Sequence, residues 1–200
     1  MNTTKLAKLY PCHEAIKWVR DQKNQQQAWE DCDRGDWMLW LCGKLSGKPG
    51  SYKRKKLVLT SCECARLSLK YVKKGEIRPL KAIETAEKWV KGKATIEEVR
   101  DAAYAAASAS AYAADYAAYA AASASAYAAA ADAYAAASAA SYAATAATTA
   151  TTTAATAAYA ASYAAAADAD ASDASDAAQC TALKRCADIV RKHYPNVPKL

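Results

Sequence analysis

The chain has 200 residues, 53% of them hydrophobic and 24% charged, with a formal net charge of +7. That length suffices for one domain, or for one domain with an elongated appendage. Residues 1–8 lead into no hydrophobic signal segment, and no run resembles the roughly 18 strongly apolar residues of a membrane span. We therefore expect a cytoplasmic protein that does not enter a membrane and whose cysteines are reduced thiols.

The charge is divided unevenly along the chain. Residues 1–100 contain 22 Lys/Arg and 12 Asp/Glu, whereas residues 101–179 contain seven Asp and no basic residue. A basic half attracts nucleic acid or an acidic protein surface. It can also be a solvated face that complements the chain's own acidic stretch, and this is the interpretation that we favour.

Apolar residues at helical spacing predict four helices in the first half of the chain. They cover residues 5–20, 28–45, 53–72 and 79–91. Pro11 and Pro79 suit first-turn positions, whereas Gly35 weakens the second helix. Thr95, followed by acidic residues, predicts the N-terminal cap of the long region that comes next.

An alanine-rich repeat dominates the second half. No glycine or proline occurs between Gly92 and Pro195, and the eleven residues 104–114 recur identically at 119–129. Alanine is the strongest helix former, so this composition predicts helix throughout. The tract forms either one rod or a folded-back hairpin or bundle, and we favour the hairpin or bundle.

The last segment predicts an amphipathic helix that Ser175 or Asp176 caps and that ends before Pro195. We therefore expect an all-α protein in three parts. These are a basic helical domain (1–93), an Ala/Tyr/Ser/Thr-rich helical repeat (94–179), and a C-terminal helix (180–200) docked on the first part.

Catalytic and metal-binding patterns are absent from the sequence. Cys62 and Cys64 lie two apart on a predicted helix and so point in different directions, which favours buried structural thiols over a metal site. His13 and His193 lie near opposite ends of the chain, and neither belongs to a nucleophile motif. There is no glycine-rich phosphate loop. We therefore expect no catalytic residues, no metal, no cofactor and no enzymatic activity.

Two groups of residues predict a surface for a protein partner. Arg34, Asp36 and Trp37 combine the aromatic and arginine side chains that anchor interfaces. Tyr112 and Tyr119 belong to a stripe that either contacts a partner or fills the space between alanine helices.

A basic run predicts a second type of surface. Tyr52 is followed by Lys53, Arg54, Lys55 and Lys56, a pattern that suits phosphate contacts. The apolar residues that come next indicate instead a charged start to a buried helix. Binding to nucleic acid is therefore an alternative.

Several blocks of sequence resemble a known family. The most specific are Asp-Trp-x-x-Trp-Leu at 36–41 and Arg-Pro-Leu-x-Ala-Ile-Glu at 78–84, and an Ala-rich tract opens at 99–104. Together they resemble the alanine-rich immunity-protein family of bacterial and bacteriophage genomes, which is linked by prediction to polymorphic-toxin immunity. The resemblance implies a binding protein with a toxin-like partner, and it supplies no catalytic residues. The alternatives are a nucleic-acid-associated protein, or a structural protein that forms homo-oligomers through its Ala-rich helices.

Overall fold

The computed structural model describes residues 4–48, 50–71, 74–106 and 172–199. All regular secondary structure in these ranges is helical, which confirms the predicted all-α class. No helix in the described part of the chain is long and apolar enough to cross a membrane. The predicted shape of the repeat, together with Tyr112 and Tyr119, lies outside the described residues. The three predicted parts of the chain therefore stay a prediction.

The described helices follow one another in a simple order. They are α1 (Thr4–Ala7), α2 (His13–Arg20), α3 (Gln25–Asp31), α4 (Gly35–Lys44), α5 (Tyr52–Arg66), a 3-10 turn (Leu69–Tyr71), α6 (Arg78–Val90), α7 (described over 96–106) and α8 (Ser172–His193). The helices α4, α5, α6 and α8 pack against one another and form the centre of the described structure.

Two predicted helices are each divided into two. The helix predicted over 5–20 is wrong, because Tyr10 adopts a left-handed conformation with φ of 57° and Pro11 follows it outside any helix. The helix predicted over 28–45 is also wrong, because Cys32 is extended, with ψ of 114°, and separates α3 from α4. At the second break a tertiary contact opposes the local helical pattern, because Arg191 of α8 binds the carbonyl oxygen of Cys32.

Several predicted helix ends follow local chemistry. Pro79 lies in the first turn of α6, and Thr95 forms a reciprocal cap with Glu98, as the sequence indicates. Helix α5 ends at Arg66 rather than at residue 72. Ser175 and Asp176 lie inside α8, so the prediction that one of them caps the last helix is wrong.

The core consists mainly of aliphatic side chains, alanines and thiols, together with the buried ring of Trp29. Leu57, Val58, Cys62, Cys64 and Ile83 are fully buried. Val99, Ala103 and Ala106 of α7 and Cys186, Ala187 and Val190 of α8 belong to the same cluster. The first turns of α7 and the C-terminal half of α8 therefore share one core with α3–α6.

Helix α8 approaches α4 closely because of one glycine. A Cβ atom added at Gly35 would lie 2.5 Å from Cβ of Cys186 and 2.6 Å from the backbone nitrogen of Ala187. Both distances are shorter than real Cβ contacts, so only glycine fits at this position. The close packing of α8 on α4 therefore requires glycine at the first residue of α4.

Arg191 of α8 stabilises the break between α3 and α4. Its Nη1 donates to the carbonyl oxygen of Cys32 at 2.7 Å and to that of Trp29 at 3.4 Å. Carbonyl groups at the C-terminal end of a helix lack intrahelical partners, so a guanidinium satisfies them well. Asp188 binds the other side of the same guanidinium at 2.7 Å.

Candidate protein-binding groove

An aromatic groove lies among α2, α3 and α4. Trp18, Trp29, Trp37 and Trp40 line it, which is four of the five tryptophans of the chain. It encloses a pocket of about 80 Å³ and continues into an adjoining cleft of about 390 Å³. We call the pocket and the cleft together the aromatic groove.

Local sequence explains how these rings come together. Trp37 and Trp40 lie three residues apart on α4, and residues at this spacing share one helical face. Trp18 comes from α2, and its ring lies 6.3 Å from that of Trp37 at an angle of 59°. Such a tilted pair is a favourable aromatic geometry.

Arg34, Asp36 and Trp37 lie together at the edge of the groove. Nε and Nη2 of Arg34 donate to the two carboxylate oxygens of Asp36 at 2.9 and 2.7 Å. Cζ of Arg34 also lies 4.3 Å from the centre of the Trp37 ring, a cation–π distance. The hydrogen bonds to Asp36 raise the pKa of Arg34 above its ordinary value. The structure thus places this predicted trio in one preorganised cluster.

Tyr10 is a surface residue that the sequence analysis missed. Its side chain is 88% exposed, and it directly precedes Pro11, which lines both parts of the groove. A left-handed φ is uncommon for a bulky residue and is often found at functional sites. The Tyr-Pro pair could have predicted a helix break here, because a residue before proline disfavours helix. It could not have predicted the left-handed conformation.

The basic run Lys53–Lys56 does not place four exposed positive charges side by side. Arg54 is buried, and its Nε and Nη2 donate to Oγ of Ser46 at 3.0 Å and to the carbonyl of Gly47 at 2.6 Å. Burial lowers the pKa of Arg54, and its guanidinium holds the loop before α5. The proposed role of Arg54 as a phosphate contact is therefore corrected to a structural one.

The lysines of the run differ from one another in exposure. Lys53 is exposed, and Lys55 is half-buried. Lys56 is also half-buried, and its Nζ lies 4.6 Å from the centre of the Tyr194 ring. A helix spreads consecutive residues around its axis, so this run forms no continuous phosphate-binding stripe.

The thiols do not provide a nucleophile in the core. Burial raises the pKa of Cys32 to about 11 and that of Cys42 to about 12. A thiolate is the reactive form, so these buried groups are poor nucleophiles near neutral pH. Within the described ranges, no group of three His, Cys, Asp or Glu residues could hold a metal ion.

A small charged cluster connects α5 to the end of α8. Glu63 accepts hydrogen bonds from Nζ of Lys192 and from Nε2 of His193, each at 2.7 Å. Burial raises the pKa of Glu63, but the hydrogen bonds from Lys192 and His193 have the larger combined effect. The pKa of Glu63 therefore lies below its ordinary value. These three residues do not line the groove. Their hydrogen bonds join two packed helices, α5 and α8.

No family model, curated protein or solved structure matches this chain.

Proposed function

We propose that this chain is a non-enzymatic, cytoplasmic binding protein of the immunity type, which neutralises a toxin-like protein partner. The observation that carries the proposal is the aromatic groove with Arg34, Asp36 and Trp37 at its edge and exposed Tyr10 beside it. The resemblance of the sequence blocks to the immunity-protein family supports the same interpretation.

The residue types at the groove favour a protein partner. Tryptophan, tyrosine and arginine are the residues that most often dominate the binding energy of interfaces. Tyr10 offers a rigid, amphipathic ring in which few torsions are lost on binding. Arg34 is held in place by Asp36 and Trp37, so little further side-chain ordering is needed when a partner binds.

The shape of the groove supports this conclusion. Only the adjoining cleft, of about 390 Å³, reaches the 300–1,000 Å³ that is typical of small-molecule sites, whereas the apolar pocket holds about 80 Å³. It suits a single side chain inserted by a partner. The adjoining cleft carries Glu14, Arg34 and Asp36, so polar groups flank the apolar part, as at many interfaces.

The alternative functions have less support in the described residues. Burial of Arg54 and the position of Lys56 over Tyr194 divide the basic run that the nucleic-acid hypothesis requires. Assembly through the Ala-rich helices concerns mostly residues outside the described ranges.

A paired capture and neutralisation experiment tests the proposal. The tagged wild-type chain and a double variant, Tyr10→Asn with Arg34→Glu, are each used to capture proteins from cells of the source. We call the double variant the groove variant. The matched control is Tyr52→Asn, which changes a tyrosine that is 79% exposed at the start of α5, away from the groove. We expect one near-stoichiometric partner that the control retains and the groove variant loses.

Neutralisation is then measured by growth. The captured partner is expressed alone, with the wild-type chain, and with the groove variant. We expect growth inhibition that only the wild-type chain relieves. A partner that is harmless, or that the groove variant neutralises equally well, would contradict the proposal.

A further inference from the structure

A group of lysines lies where α4 ends and α5 begins. Residues 37–62 contain six basic residues and no Asp or Glu. Arg54 is buried, and the other five are lysines, which we call the lysine cluster: Lys44, Lys48, Lys53, Lys55 and Lys56. The first three of them are exposed, and the last two are half-buried. This end of the described structure therefore presents a concentrated positive charge to solvent.

Lysines from both helices belong to this surface. Nζ of Lys44, the last residue of α4, lies 5.6 Å from the centre of the Trp40 ring. Lys56 of α5 lies close enough to the last turn of α4 for its charge to act on Cys42, where it opposes the rise in the thiol pKa that burial causes. The lysine cluster is therefore one surface formed by two helix ends and the loop between them, rather than a stripe along α5.

The lysine cluster has no partner of opposite charge in the described residues. Six ion pairs join a Lys or Arg side chain to a carboxylate in this part of the chain, and none of them includes a member of the cluster. Lys44 and Lys56 instead lie over the rings of Trp40 and Tyr194. The cluster can therefore pair with carboxylates that a binding partner supplies.

The lysine cluster does not stabilise the helix on which it lies. A helix N-terminus carries a partial positive charge, so acidic residues are favourable there and lysines are unfavourable. The first turn of α5 nevertheless contains no acidic residue, and both Lys53 and Lys55 lie in it. Natural proteins break such local rules mainly at functional sites. The position of these charges therefore favours a role in contact over a role in folding.

The lysine cluster adjoins the aromatic groove. Trp40 lines both parts of the groove, and Nζ of Lys44 lies over the same ring. A partner that inserts an apolar side chain into the groove is therefore placed beside the cluster. Protein interfaces commonly combine an apolar centre with a charged rim whose sign is complementary to that of the partner.

We propose that the protein partner bound at the aromatic groove presents an acidic surface to the lysine cluster. The carboxylates of this surface pair with the exposed members of the cluster, Lys44, Lys48 and Lys53. The inference rests on the proposed function and names the charge of its partner.

The described residues favour an acidic protein over a nucleic acid at this surface. The apolar pocket of about 80 Å³ is smaller than the roughly 150 Å³ cavity that holds a benzene ring, so it accepts an aliphatic side chain but no nucleobase. Arginine has the planar fork that binds phosphate through two hydrogen bonds. Arg54 is the only arginine in residues 37–62, and its fork binds Ser46 and Gly47 instead.

A titration with an acidic peptide tests the inference without the partner. Labelled decaglutamate is titrated at low ionic strength with the full chain and followed by fluorescence anisotropy. The cluster variant is Lys44→Glu with Lys53→Glu. The control variant is Lys88→Glu with Lys93→Glu, which changes the net charge equally at two exposed lysines, on α6 and just after it. We expect the cluster variant to bind at least about tenfold more weakly than the wild-type chain, and the control variant no more than about threefold more weakly.

Nucleic acid is the competing ligand in this test. Oligothymidylate with the same number of charges is titrated in the same way, and we expect it to bind no more tightly than decaglutamate. The inference is overturned by tighter binding of oligothymidylate, or by equal losses of decaglutamate binding in the cluster and control variants. It is also overturned if decaglutamate does not bind the wild-type chain at low salt, because the cluster is then only a solvated face.

These outcomes are separate from those of the proposed function. Added salt should slow the association of a captured partner more steeply with the wild-type chain than with the cluster variant, because rim charges act mainly on the rate of encounter. If capture requires Tyr10 and Arg34 but the cluster variant associates with the same rate and salt dependence, the binding function stands and the acidic surface fails. If decaglutamate binds the cluster but no partner is captured, the immunity-type function fails and the charge preference of the cluster stands.

Discussion

The core around α5 and the face formed by α2–α4 differ in which side chains they bury and which they leave exposed. Met38, Leu39, Leu57 and Ile83 are among the largest fully buried side chains in the described residues, and no aromatic ring is among them. Trp18, Trp37 and Trp40, by contrast, remain partly exposed and line the groove.

The difference separates side chains that stabilise the fold from side chains that remain accessible for contact. Burial of a large ring contributes more to stability than burial of any alanine or cysteine, because it removes more apolar area from water. Apart from Trp29, which is buried in the core cluster, this chain nevertheless fills its core with smaller groups and leaves three indole rings partly accessible. Such an arrangement favours a role in recognition for the groove, and it predicts that substitutions in the two regions affect different measurements.

The largest expected contrast lies between Leu57→Ala and Tyr10→Asn. Leu57 is fully buried, so its truncation should lower the free energy of unfolding by about 3 kcal/mol. Tyr10 is 88% exposed and left-handed, a conformation that asparagine tolerates well, so its substitution should change stability by no more than about 0.5 kcal/mol. Urea denaturation measures both values. Equal losses would remove the distinction between core and groove.

Thiol labelling sharpens the description of the core. Cys12 and Cys180 are exposed and the other five cysteines are buried. At pH 8, Ellman's reagent should modify two thiols quickly and the remaining five at least about a hundredfold more slowly. All seven should react at once in concentrated urea. More than two fast thiols in the native protein would show that the core is open to the reagent.

Gly35→Ala tests the close approach of α4 to α8. The added Cβ would collide with Cys186 and with the backbone of Ala187, so we expect a loss of about 2 kcal/mol in unfolding free energy. In an ordinary helix interior the same change stabilises by up to about 1 kcal/mol.

Gly92→Ala is the control for that substitution. Gly92 has φ of 70° and no atom within 4 Å of an added Cβ, so only backbone strain of about 1 kcal/mol is expected. If Gly35→Ala proved neutral or stabilising, the described packing of α4 against α8 would be wrong.

The smallest expected effect concerns the pH dependence of the contact between α5 and α8. The folded-state pKa of Glu63 lies below its ordinary value of 4.5. Its carboxylate therefore stabilises the fold above about pH 4.5, and this contribution is lost as the pH falls through the lowered folded pKa. Glu63→Gln should reduce stability at pH 6 but much less at pH 3, when measured by urea denaturation. Glu84→Gln on the exposed face of α6 is the control, and an equal pH dependence in both variants would contradict the role of Glu63.

Part of the structure could be predicted from the sequence, because it depends on near neighbours in the chain. The helical class follows from propensity and spacing, and Pro79 and Thr95 act on groups within four residues of themselves. Arg34, Asp36 and Trp37 were predicted as a contact surface from their residue types, and they lie together in the structure because they are near neighbours in the chain. Its role in binding stays a prediction.

Other features depend on contacts between distant residues. Arg191 of α8 stabilises the break before Gly35 by binding the carbonyl oxygen of Cys32, and the burial of Arg54 depends on the loop at Ser46 and Gly47. The bond between Gln26 and Val197 joins residues 171 positions apart. Helical periodicity and capping patterns report only local preferences. The sequence by itself therefore determined which segments are helical, whereas tertiary packing decided where they break and which side chains form the groove.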